Sequence, residues 1–423
     1  MFETFSKGMV DPDELALAMA TGSPADFERI RLTGTAKLVN PRAGLDPRFL
    51  PEPPPELRLP PPQAPDSPEV AAALIEQALA VVLCDHPFRD IRAWFSSNPN
   101  PLEGLESLLN GPTRPASVFR HVEQQRATPY ISQLLLLPVT AGAHVAEQKY
   151  IIRTGFYGTT AETQAAMLKG APIETQTYGP PRYINNLRAL ASAFHKDPPY
   201  QVGLNACHIL DGLEVQRSSL FPPLPSEVGF VSYGGAVQIQ CLLPAAVELA
   251  MSAALHEKWY RSRFPRPEEL TAEPLKLHPL WLERTGALLA RWGGRLPTLY
   301  REGCPMHSSY PSGHAVIGGA ATLMKAMYQE GAWPRPLLQS SPDGTALIAA
   351  GGAATIHGEI DKLAWLSGFG RIPIHTRIDY LAGLDLGEAA AVLVLREAKA
   401  RAEAVEPWGT TTFRGFRGQQ ITI

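Results

Sequence analysis

The chain has 423 residues, 45% of them hydrophobic, which is enough to bury a sizeable core in one large domain or in two or three ordinary ones. The 38 Lys and Arg residues against 41 Asp and Glu give a formal net charge of −3. That balance argues against a general nucleic-acid-binding protein, which should carry a clear basic excess, but it leaves room for a local anion site.

The four cysteines are far apart in the sequence and form no CxxC pair. They are Cys84, Cys207, Cys241 and Cys304. This spacing predicts isolated thiols rather than a disulfide framework or a zinc site.

Two segments bear on targeting and membranes. Residues 1–20 carry acidic side chains and lack the apolar core of a signal peptide. Residues 237–255 are the most apolar stretch, but Gln238, Pro244 and Glu248 within it are more typical of a buried core helix than of a membrane span. We therefore predict a soluble, cytoplasmic protein.

The N-terminal region, residues 1–66, shows no apolar periodicity and is predicted to be irregular. Its proline clusters at 51–55 and 60–62 favour extended polyproline segments over helix. The region is interpreted as a Pro-rich N-terminal arm that wraps the body or reaches a partner subunit. A disordered linker is the alternative.

A different pattern begins at Ser67, a helix-capping serine that is followed by a proline and an acid in the first turn. The apolar residues after it keep helical spacing as far as Val82. Similar amphipathic stretches predict helices at 161–169, 182–196, 237–259, 313–328, 358–367 and 380–404. The best strand candidate is 149–153. We predict an all-α fold, with residues 67–423 forming one large helical bundle domain with long loops.

The segment from Lys258 to Glu268 places four cations after a long apolar stretch. These are Lys258, Arg261, Arg263 and Arg266. Cations complement the dipole at a helix C-terminus, so a solvated helix end is one interpretation. The break at Arg266-Pro267 suggests instead a fixed backbone that presents an arginine fork. Arginine binds tetrahedral oxyanions through two hydrogen bonds, and lysine adds a point charge.

The segment from Pro305 to Ala315 precedes a run of small, apolar residues. It predicts a turn leading into a buried helix, whose first N–H groups point outward and can bind an anion. Gly313 would let an oxyanion approach the backbone, Ser312 offers a hydroxyl, and His314 can give or take a proton near neutral pH. Serine and glycine are common at helix starts, so this tripeptide alone indicates only a possible anion site.

The third segment places His375 between two arginines, Arg371 and Arg377, with Asp379 four positions further on. A histidine that follows an apolar residue is more often structural than catalytic. In a helical turn, however, Asp379 lies within reach to orient the imidazole.

Taken in chain order, the three segments resemble the signature of the vanadium haloperoxidase and type 2 phosphatidic acid phosphatase superfamily: Lys…Arg-Pro, then Pro-Ser-Gly-His, then Arg…His-x-x-x-Asp. The matching residues are Lys258 with Arg266-Pro267, Pro311 to His314, and Arg371 with His375 and Asp379. Within the superfamily the sequence is most similar to bromoperoxidase-like and bacterial haloperoxidases, over roughly residues 115–395. The resemblance implies a vanadate cofactor, with hydrogen peroxide and halide as co-substrates.

The resemblance assigns a vanadate-binding role to seven residues: Lys258, Arg266, Ser312, Gly313, His314, Arg371 and His375. The three cations would neutralise the vanadate oxygens. The Ser312 hydroxyl and the Gly313 N–H would donate hydrogen bonds to the anion.

The remaining implied roles concern catalysis. His375 would be the axial vanadium ligand, oriented by Asp379. His314 would be the acid–base group, and Lys258 would polarise the peroxide. His307 matches a position near the halide site that is usually His in bromoperoxidase-like members and Phe in fungal chloroperoxidases, which favours bromide and iodide over chloride.

One spacing departs from the family pattern. Arg371 precedes His375 by four residues, whereas the family normally has six. Either Arg371 is the anion-binding arginine and the loop around Pro373 is shorter, or His375 fixes the register and Phe369 stands in the arginine's place. We prefer the first, because Gly370-Arg371 fits a helix end.

These observations predict a vanadate-dependent haloperoxidase that oxidises halide with hydrogen peroxide and halogenates an organic small molecule. One alternative is a phosphatase with the same pocket, in which His375 would be the nucleophile. Another is a non-catalytic helical scaffold with a relict anion site, suggested by the short loop and the Pro-rich arm. The resemblance also implies a homodimer or larger homo-oligomer, without nucleic-acid or membrane partners.

Overall fold

The computed structural model describes most of the chain. The described residues are 12–30, 52–115, 117–121, 128–168, 175–195, 197–198, 200–305 and 307–423. Residues 1–11 and 31–51 of the predicted arm lie outside them.

Helices dominate the fold. Their bounds are α1 (Pro12–Thr21), α2 (Pro24–Arg29), α3 (Pro68–Val82), α4 (Ile91–Trp94), α5 (Glu106–Leu109), α6 (Ala161–Leu168), α7 (Leu187–Ala193), α8 (Gln201–Gly212), α9 (Ala236–His256), α10 (Pro267–Ala272), α11 (Leu280–Thr285), α12 (Gly318–Met327), α13 (Ile356–Phe369) and α14 (Arg377–Ala402). Short 3₁₀ turns lie at Pro55–Leu57, Phe88–Asp90, Gln133–Leu135, Pro274–Lys276, Ala290–Trp292 and His314–Ile317, and a π-helical turn at Glu257–Arg261. The predicted helical fold class is confirmed.

Within the described residues the strands form four small antiparallel sheets of two strands each. They pair as β1 (Val139–Ala141) with β2 (His144–Ala146), β3 (Tyr150–Thr154) with β4 (Thr177–Arg182), β5 (Leu338–Ser340) with β6 (Leu347–Ala349), and β7 (Thr412–Arg414) with β8 (Gln420–Thr422). The strand predicted at 149–153 is confirmed as β3. These hairpins lie between helices and do not build a central sheet.

The core is centred on α14, which packs against α9, α12 and α13. All ten residues of α12 are buried, and small side chains let α12 and α14 come close. A Cβ added at Gly318 would lie 2.7 Å from the Leu384 carbonyl oxygen, so a larger residue there would push the two helices apart.

Helix starts follow the sequence signals where a cap is present. The Ser67 hydroxyl accepts a hydrogen bond from the Val70 N–H at 3.3 Å, as the capping pattern predicts. The helix predicted over 182–196 begins only at Leu187, because Asn186 caps it and residues 177–182 form β4. The helix predicted over 313–328 divides into the 3₁₀ turn and α12, and α8 was not predicted.

The N-terminal region differs from the expectation of irregular chain. Helices α1 and α2 both begin at a proline, which fits the first turn of a helix as well as it fits an extended segment. Further on, Leu57 and Leu59 are buried in the core, and the Tyr310 hydroxyl donates to the Pro60 carbonyl oxygen at 2.7 Å. The described part of the Pro-rich segment therefore packs against the body. The division into an arm and a domain at residue 66 stays a prediction.

A buried ion pair joins α3 to the start of α14. The Arg377 guanidinium donates to both carboxylate oxygens of Glu76, and the Tyr380 hydroxyl donates to Glu76 Oε2 at 3.1 Å. The guanidinium carbon also lies 4.6 Å from the Trp365 ring centre. Because Arg377 follows His375 by two residues, this network anchors the chain next to that histidine in the core.

Glu76→Ala should lower the free energy of unfolding by about 3–5 kcal/mol, because it leaves Arg377 buried without its carboxylate. Urea denaturation followed by circular dichroism measures the change. Glu397→Ala is the control. It breaks an exposed ion pair between Glu397 and Arg401 of α14, and such a pair contributes about 0–1 kcal/mol. Equal losses in the two variants would contradict this account.

Candidate active site

The residues of the three motifs meet in one buried region, and each lies at or beside a helix end. Lys258 is in the π-helical turn after α9, and Arg266 is the N-cap residue of α10. The turn before α12 contains Ser312, Gly313 and His314. Arg371 follows α13, and His375 precedes α14. Side chains from distant parts of the sequence therefore come together at one place in the core.

Arg266 links the second and third motifs. Its Nη1 lies 3.1 Å from His375 Nε2 and donates to the Ile374 carbonyl oxygen at 3.1 Å. Its Nη2 lies 3.1 Å from His307 Nδ1, and its Nε donates to the His307 carbonyl oxygen. The guanidinium is buried and held on several sides, so it presents its charge at a fixed position beside both histidines.

Lys258 is buried beneath the second motif. Its Nζ donates to the carbonyl oxygens of Ser308 at 2.8 Å and Ser309 at 3.1 Å. Burial, helped by Arg266 and Arg371, holds the pKa of Lys258 well below its ordinary value. An anion in the pocket would raise that pKa and stabilise the charged ammonium.

Arg371 lies at the end of α13 and contacts the end of α7. Its Nη1 donates to the carbonyl oxygens of Phe194 at 2.7 Å and His195 at 2.8 Å. Its Nε is buried and has no hydrogen-bond partner among the described residues. Phe369 stacks on Phe119 in the core, with ring centres 5.4 Å apart, so the geometry favours the register in which Arg371 is the pocket arginine.

His375 is buried at the centre of the site. Burial, Arg266 and Lys258 hold its pKa well below the ordinary value for histidine. The ring is therefore neutral near pH 7, and one nitrogen keeps a lone pair that can bind a metal.

Asp379, predicted to orient His375, lies 3.6 Å from His375 Nδ1 through its Oδ2. The same oxygen accepts shorter hydrogen bonds from the Ser309 hydroxyl and the Thr376 N–H, both at 2.7 Å. Asp379 thus holds the start of α14 and Ser309 together around the ring. Its orienting role stays a prediction.

His314 contacts a partner that the sequence did not reveal. Its Nε2 lies 3.0 Å from Asp197 Oδ1. Burial and the charge of Arg371 lower the pKa of His314, and Asp197 opposes them. The pair keeps an acid–base group in a cationic pocket.

Asp197→Asn should lower the pKa of His314 further, because a neutral amide no longer stabilises the imidazolium. The acidic limb of any reaction that needs His314 neutral should move to lower pH accordingly. Titration of labelled histidine by NMR measures the pKa directly, with Asp343→Asn, in an exposed loop, as the control. An unchanged or higher His314 pKa in Asp197→Asn would rule out this coupling.

The second motif offers a free hydroxyl to the pocket. Ser312 Oγ is buried and has no hydrogen-bond partner among the described residues, while the Ser312 N–H donates to the Asp379 carbonyl oxygen at 2.8 Å. A Cβ added at Gly313 would come no closer than 3.8 Å, to Met251, so packing within the chain does not itself require glycine there. A buried donor among cations fits a bound oxyanion.

Burial disfavours the charged form of the carboxyls nearby. Burial raises the pKa of Glu268 to about 7 and that of Glu269 to about 8, and it also raises the pKa of Asp379. Glu268 Oε2 accepts a hydrogen bond from the Cys304 N–H at 2.6 Å, which holds the carboxyl in the protein interior. The negative charge of these carboxyls is therefore reduced near neutral pH, which leaves Arg266 and Arg371 able to attract an anion.

The raised pKa of Glu268 makes stability depend on pH. A carboxyl with a higher pKa in the folded than in the unfolded protein favours folding below its unfolded pKa, and this contribution is lost as pH rises towards the folded pKa. For Glu268 this contribution is lost between pH 4.5 and about pH 7.

Glu268→Gln should remove up to about 3 kcal/mol of the stability loss between pH 4.5 and pH 8. Denaturation at both pH values tests this, with the exposed Glu283→Gln as control. Equal pH dependence in both variants would refute it.

The fold and the site define a class: a helical protein in which buried lysine and arginine side chains gather around histidines and an unpartnered serine hydroxyl. No model of a described protein family matches the chain. The sequence is 31% identical over 423 residues to a vanadium-dependent bromoperoxidase of Ascophyllum nodosum, covering 86% of this chain and 73% of that protein. It is 30% identical over 257 residues to the vanadium-dependent bromoperoxidase of Corallina pilulifera, covering 51% of this chain and 43% of that protein. The chain belongs to the vanadium-dependent bromoperoxidase family.

A solved structure has the same fold. The homohexameric second vanadate-dependent bromoperoxidase of Ascophyllum nodosum superposes with a TM-score of 0.85 at 21% sequence identity. The match covers 99% of this chain and 84% of that chain.

Proposed function

We propose that this protein is a vanadate-dependent haloperoxidase, which uses hydrogen peroxide to oxidise bromide or iodide to hypohalous acid or an equivalent. The oxidised halogen then halogenates a small organic molecule. The observation that carries the proposal is the set of three buried basic side chains, Lys258, Arg266 and Arg371, around the unpartnered Ser312 hydroxyl. The relatives named above are bromoperoxidases, which agrees with this chemistry.

The pocket fits vanadate, a tetrahedral oxyanion. Lys258, Arg266 and Arg371 would neutralise its oxygens, and Ser312 and the Gly313 N–H would donate to it. Bound vanadium(V) supplies a Lewis acid that activates peroxide. His375 Nε2 would be the protein ligand, because Ser309 Oγ and Asp379 Oδ2 lie 3.4 and 3.6 Å from Nδ1 and would hold that side of the neutral ring.

His314 would move the proton that the reaction requires. Its Nε2 faces Asp197, which leaves Nδ1 as the ring atom that exchanges a proton with peroxide. Asp197 keeps the ring in place and supports its charged form. Lys258, whose pKa is depressed by burial, would donate a hydrogen bond to the peroxide and polarise it.

His307 would border the halide position. Its ring is only partly exposed, and Arg266 lies 3.1 Å from its Nδ1. Burial and the charges of Lys258 and Arg266 hold its pKa well below the ordinary value, so the ring is neutral where halide approaches. A neutral ring beside the Arg266 guanidinium would suit a large, polarisable anion such as bromide.

A pair of assays tests the function. Vanadate-reconstituted protein should brominate an activated β-diketone in the presence of bromide and peroxide, and should show little hydrolysis of an aryl phosphate without vanadate. Bromide, iodide and chloride are compared in the same assay. Ser312→Ala should weaken vanadate binding and slow bromination. Aryl phosphate hydrolysis without bromination would identify a phosphatase, and the binding of neither vanadate nor phosphate would identify a non-catalytic scaffold.

We also propose that the chain works as a homo-oligomer, in keeping with the homohexameric structure that shares its fold. Its reaction partners would be peroxide, halide and a small organic molecule. The cytoplasmic location inferred from sequence stays a prediction.

A further inference from the structure

The end of α7 carries the two carbonyl groups that hold the Arg371 guanidinium. Phe194 is the C-cap residue of α7, and carbonyl groups at and beyond a helix C-terminus lack partners within the helix. Arg371 Nη1 donates to the carbonyl oxygens of Phe194 and His195 at 2.7 and 2.8 Å. The Nε of the same guanidinium is buried without a hydrogen-bond partner among the described residues. The position of the two carbonyl groups therefore decides where Nε points.

The main chain of Arg371 is tied to His375. The Arg371 carbonyl oxygen accepts hydrogen bonds from the Ile374 N–H at 2.6 Å and from the His375 N–H at 3.2 Å. A Cβ added at Gly370 would lie 2.6 Å from Phe194 Cδ2, so the chain before Arg371 also packs tightly against the end of α7. A shift of that helix end would therefore disturb both the guanidinium and the chain that leads to His375.

The ring of His195 is held on two sides by residues 300–302. It stacks on the Tyr300 ring, with ring centres 4.2 Å apart and planes inclined by 10°. Its Nε2 lies 2.6 Å from Glu302 Oε1. The Tyr300 hydroxyl also donates to the Ala191 carbonyl oxygen at 3.0 Å, in the last turn of α7. One short segment thus fixes the end of α7 through a ring, a hydroxyl and a carboxylate.

The protonation of the pair fits this arrangement. Burial opposes the charge of Glu302, but the hydrogen bond from His195 helps to lower its pKa to about 2. Burial lowers the pKa of His195 against the effect of Glu302. A neutral ring beside an ionised carboxylate carries its proton on Nε2 and donates it to that carboxylate. Because Nδ1 has no hydrogen-bond partner among the described residues, the bond to Glu302 is the one that orients the ring.

We propose that His195 and Glu302 are positioning residues, whose hydrogen bond fixes the carbonyl groups at the end of α7 and so aims Arg371 Nε at the bound anion. The proposal rests on the vanadate site proposed above and adds to it a part of the chain that lies outside the three motifs. Both residues act through Arg371 and not by contact with the anion.

Glu302→Ala tests the proposal at a side chain that is 43% exposed. It should weaken vanadate binding by about 10- to 100-fold, as the loss of a residue that orients a ligand does. Glu302→Gln should stay within about fivefold of the wild type, because the amide oxygen still accepts from His195 and only the charge is lost. Equilibrium dialysis measures the affinities. Glu330→Ala is the matched control: its side chain is 46% exposed and pairs with His357 at 3.2 Å, near the start of α13.

A double-mutant cycle separates positioning from a general effect on the fold. In the Arg371→Ala background, Glu302→Ala should change vanadate affinity by less than about twofold, because the residue through which it acts is gone. A crystal structure of Glu302→Ala should show Arg371 Nη1 detached from at least one of its two carbonyl partners.

Four results overturn the proposal. They are wild-type vanadate affinity in Glu302→Ala, an equal loss in Glu330→Ala, an undiminished loss in the Arg371→Ala background, and an unmoved Arg371 in the crystal. Inorganic phosphate, also a tetrahedral anion, is measured with the same variants. If phosphate binds with this pattern and vanadate does not bind, the positioning roles stand and the haloperoxidase function fails. Binding of neither anion would overturn both proposals.

Discussion

His375→Ala should abolish both vanadate binding and bromination. His375 is the neutral, buried ring at the centre of the cationic pocket, and burial together with Arg266 and Lys258 keeps its pKa far below the ordinary value. Alanine offers no lone pair to vanadium and leaves Arg266 without its contact to Nε2. The loss should therefore be complete rather than partial, and added vanadate should not restore activity.

Equilibrium dialysis with vanadate and the bromination assay measure this prediction. His144→Ala, at an exposed position on β2, is the control and should behave like the wild type. Circular dichroism establishes that both variants are folded. Bromination by His375→Ala at saturating vanadate would exclude His375 as the ligand.

Arg266→Lys should slow bromination by about 100- to 1,000-fold, the usual effect on catalysis of removing one aligned donor from an oxyanion site, and should also weaken vanadate binding. Lysine keeps the charge but lacks the planar fork that reaches His375, His307 and the Ile374 carbonyl oxygen at once. Because the charge is retained, the effect of this variant reports the loss of the guanidinium's hydrogen-bond geometry and not a loss of electrostatic attraction.

Arg261→Lys is the matched control for Arg266→Lys. Arg261 lies five residues earlier, is partly exposed and pairs with Glu257. It should leave vanadate affinity within about threefold of the wild type, as expected for a surface ion pair. A similarly small effect of Arg266→Lys would mean that the guanidinium does not hold the anion.

Local signals account for most of what the sequence revealed. The Ser67 cap set the start of α3, and apolar periodicity located α13 and α14 to within a few residues. Each of the three motifs likewise lies at a helix end, because each combines a break in the helix with charged or small residues, whereas their meeting in one site was implied by the family resemblance. These features depend on neighbouring residues, which is why one sequence suffices to find them.

Long-range contacts account for what it missed. Asp197 reaches His314 from 117 residues away, and no spacing pattern marks it. The choice between Arg371 and Phe369 needed the packing of Phe369 in the core. The raised pKa of Glu268 depends on the burial of its side chain. In the sequence Glu268 is typical of the acidic residues found in the first turn of a helix.

The most direct test is anomalous X-ray diffraction from crystals soaked in vanadate. We predict a vanadium peak bonded to His375 Nε2, with its oxygens near Lys258, Arg266, Arg371 and Ser312. Empty density in this pocket at saturating vanadate, or a vanadium peak elsewhere in the protein, would contradict the assignment of the site.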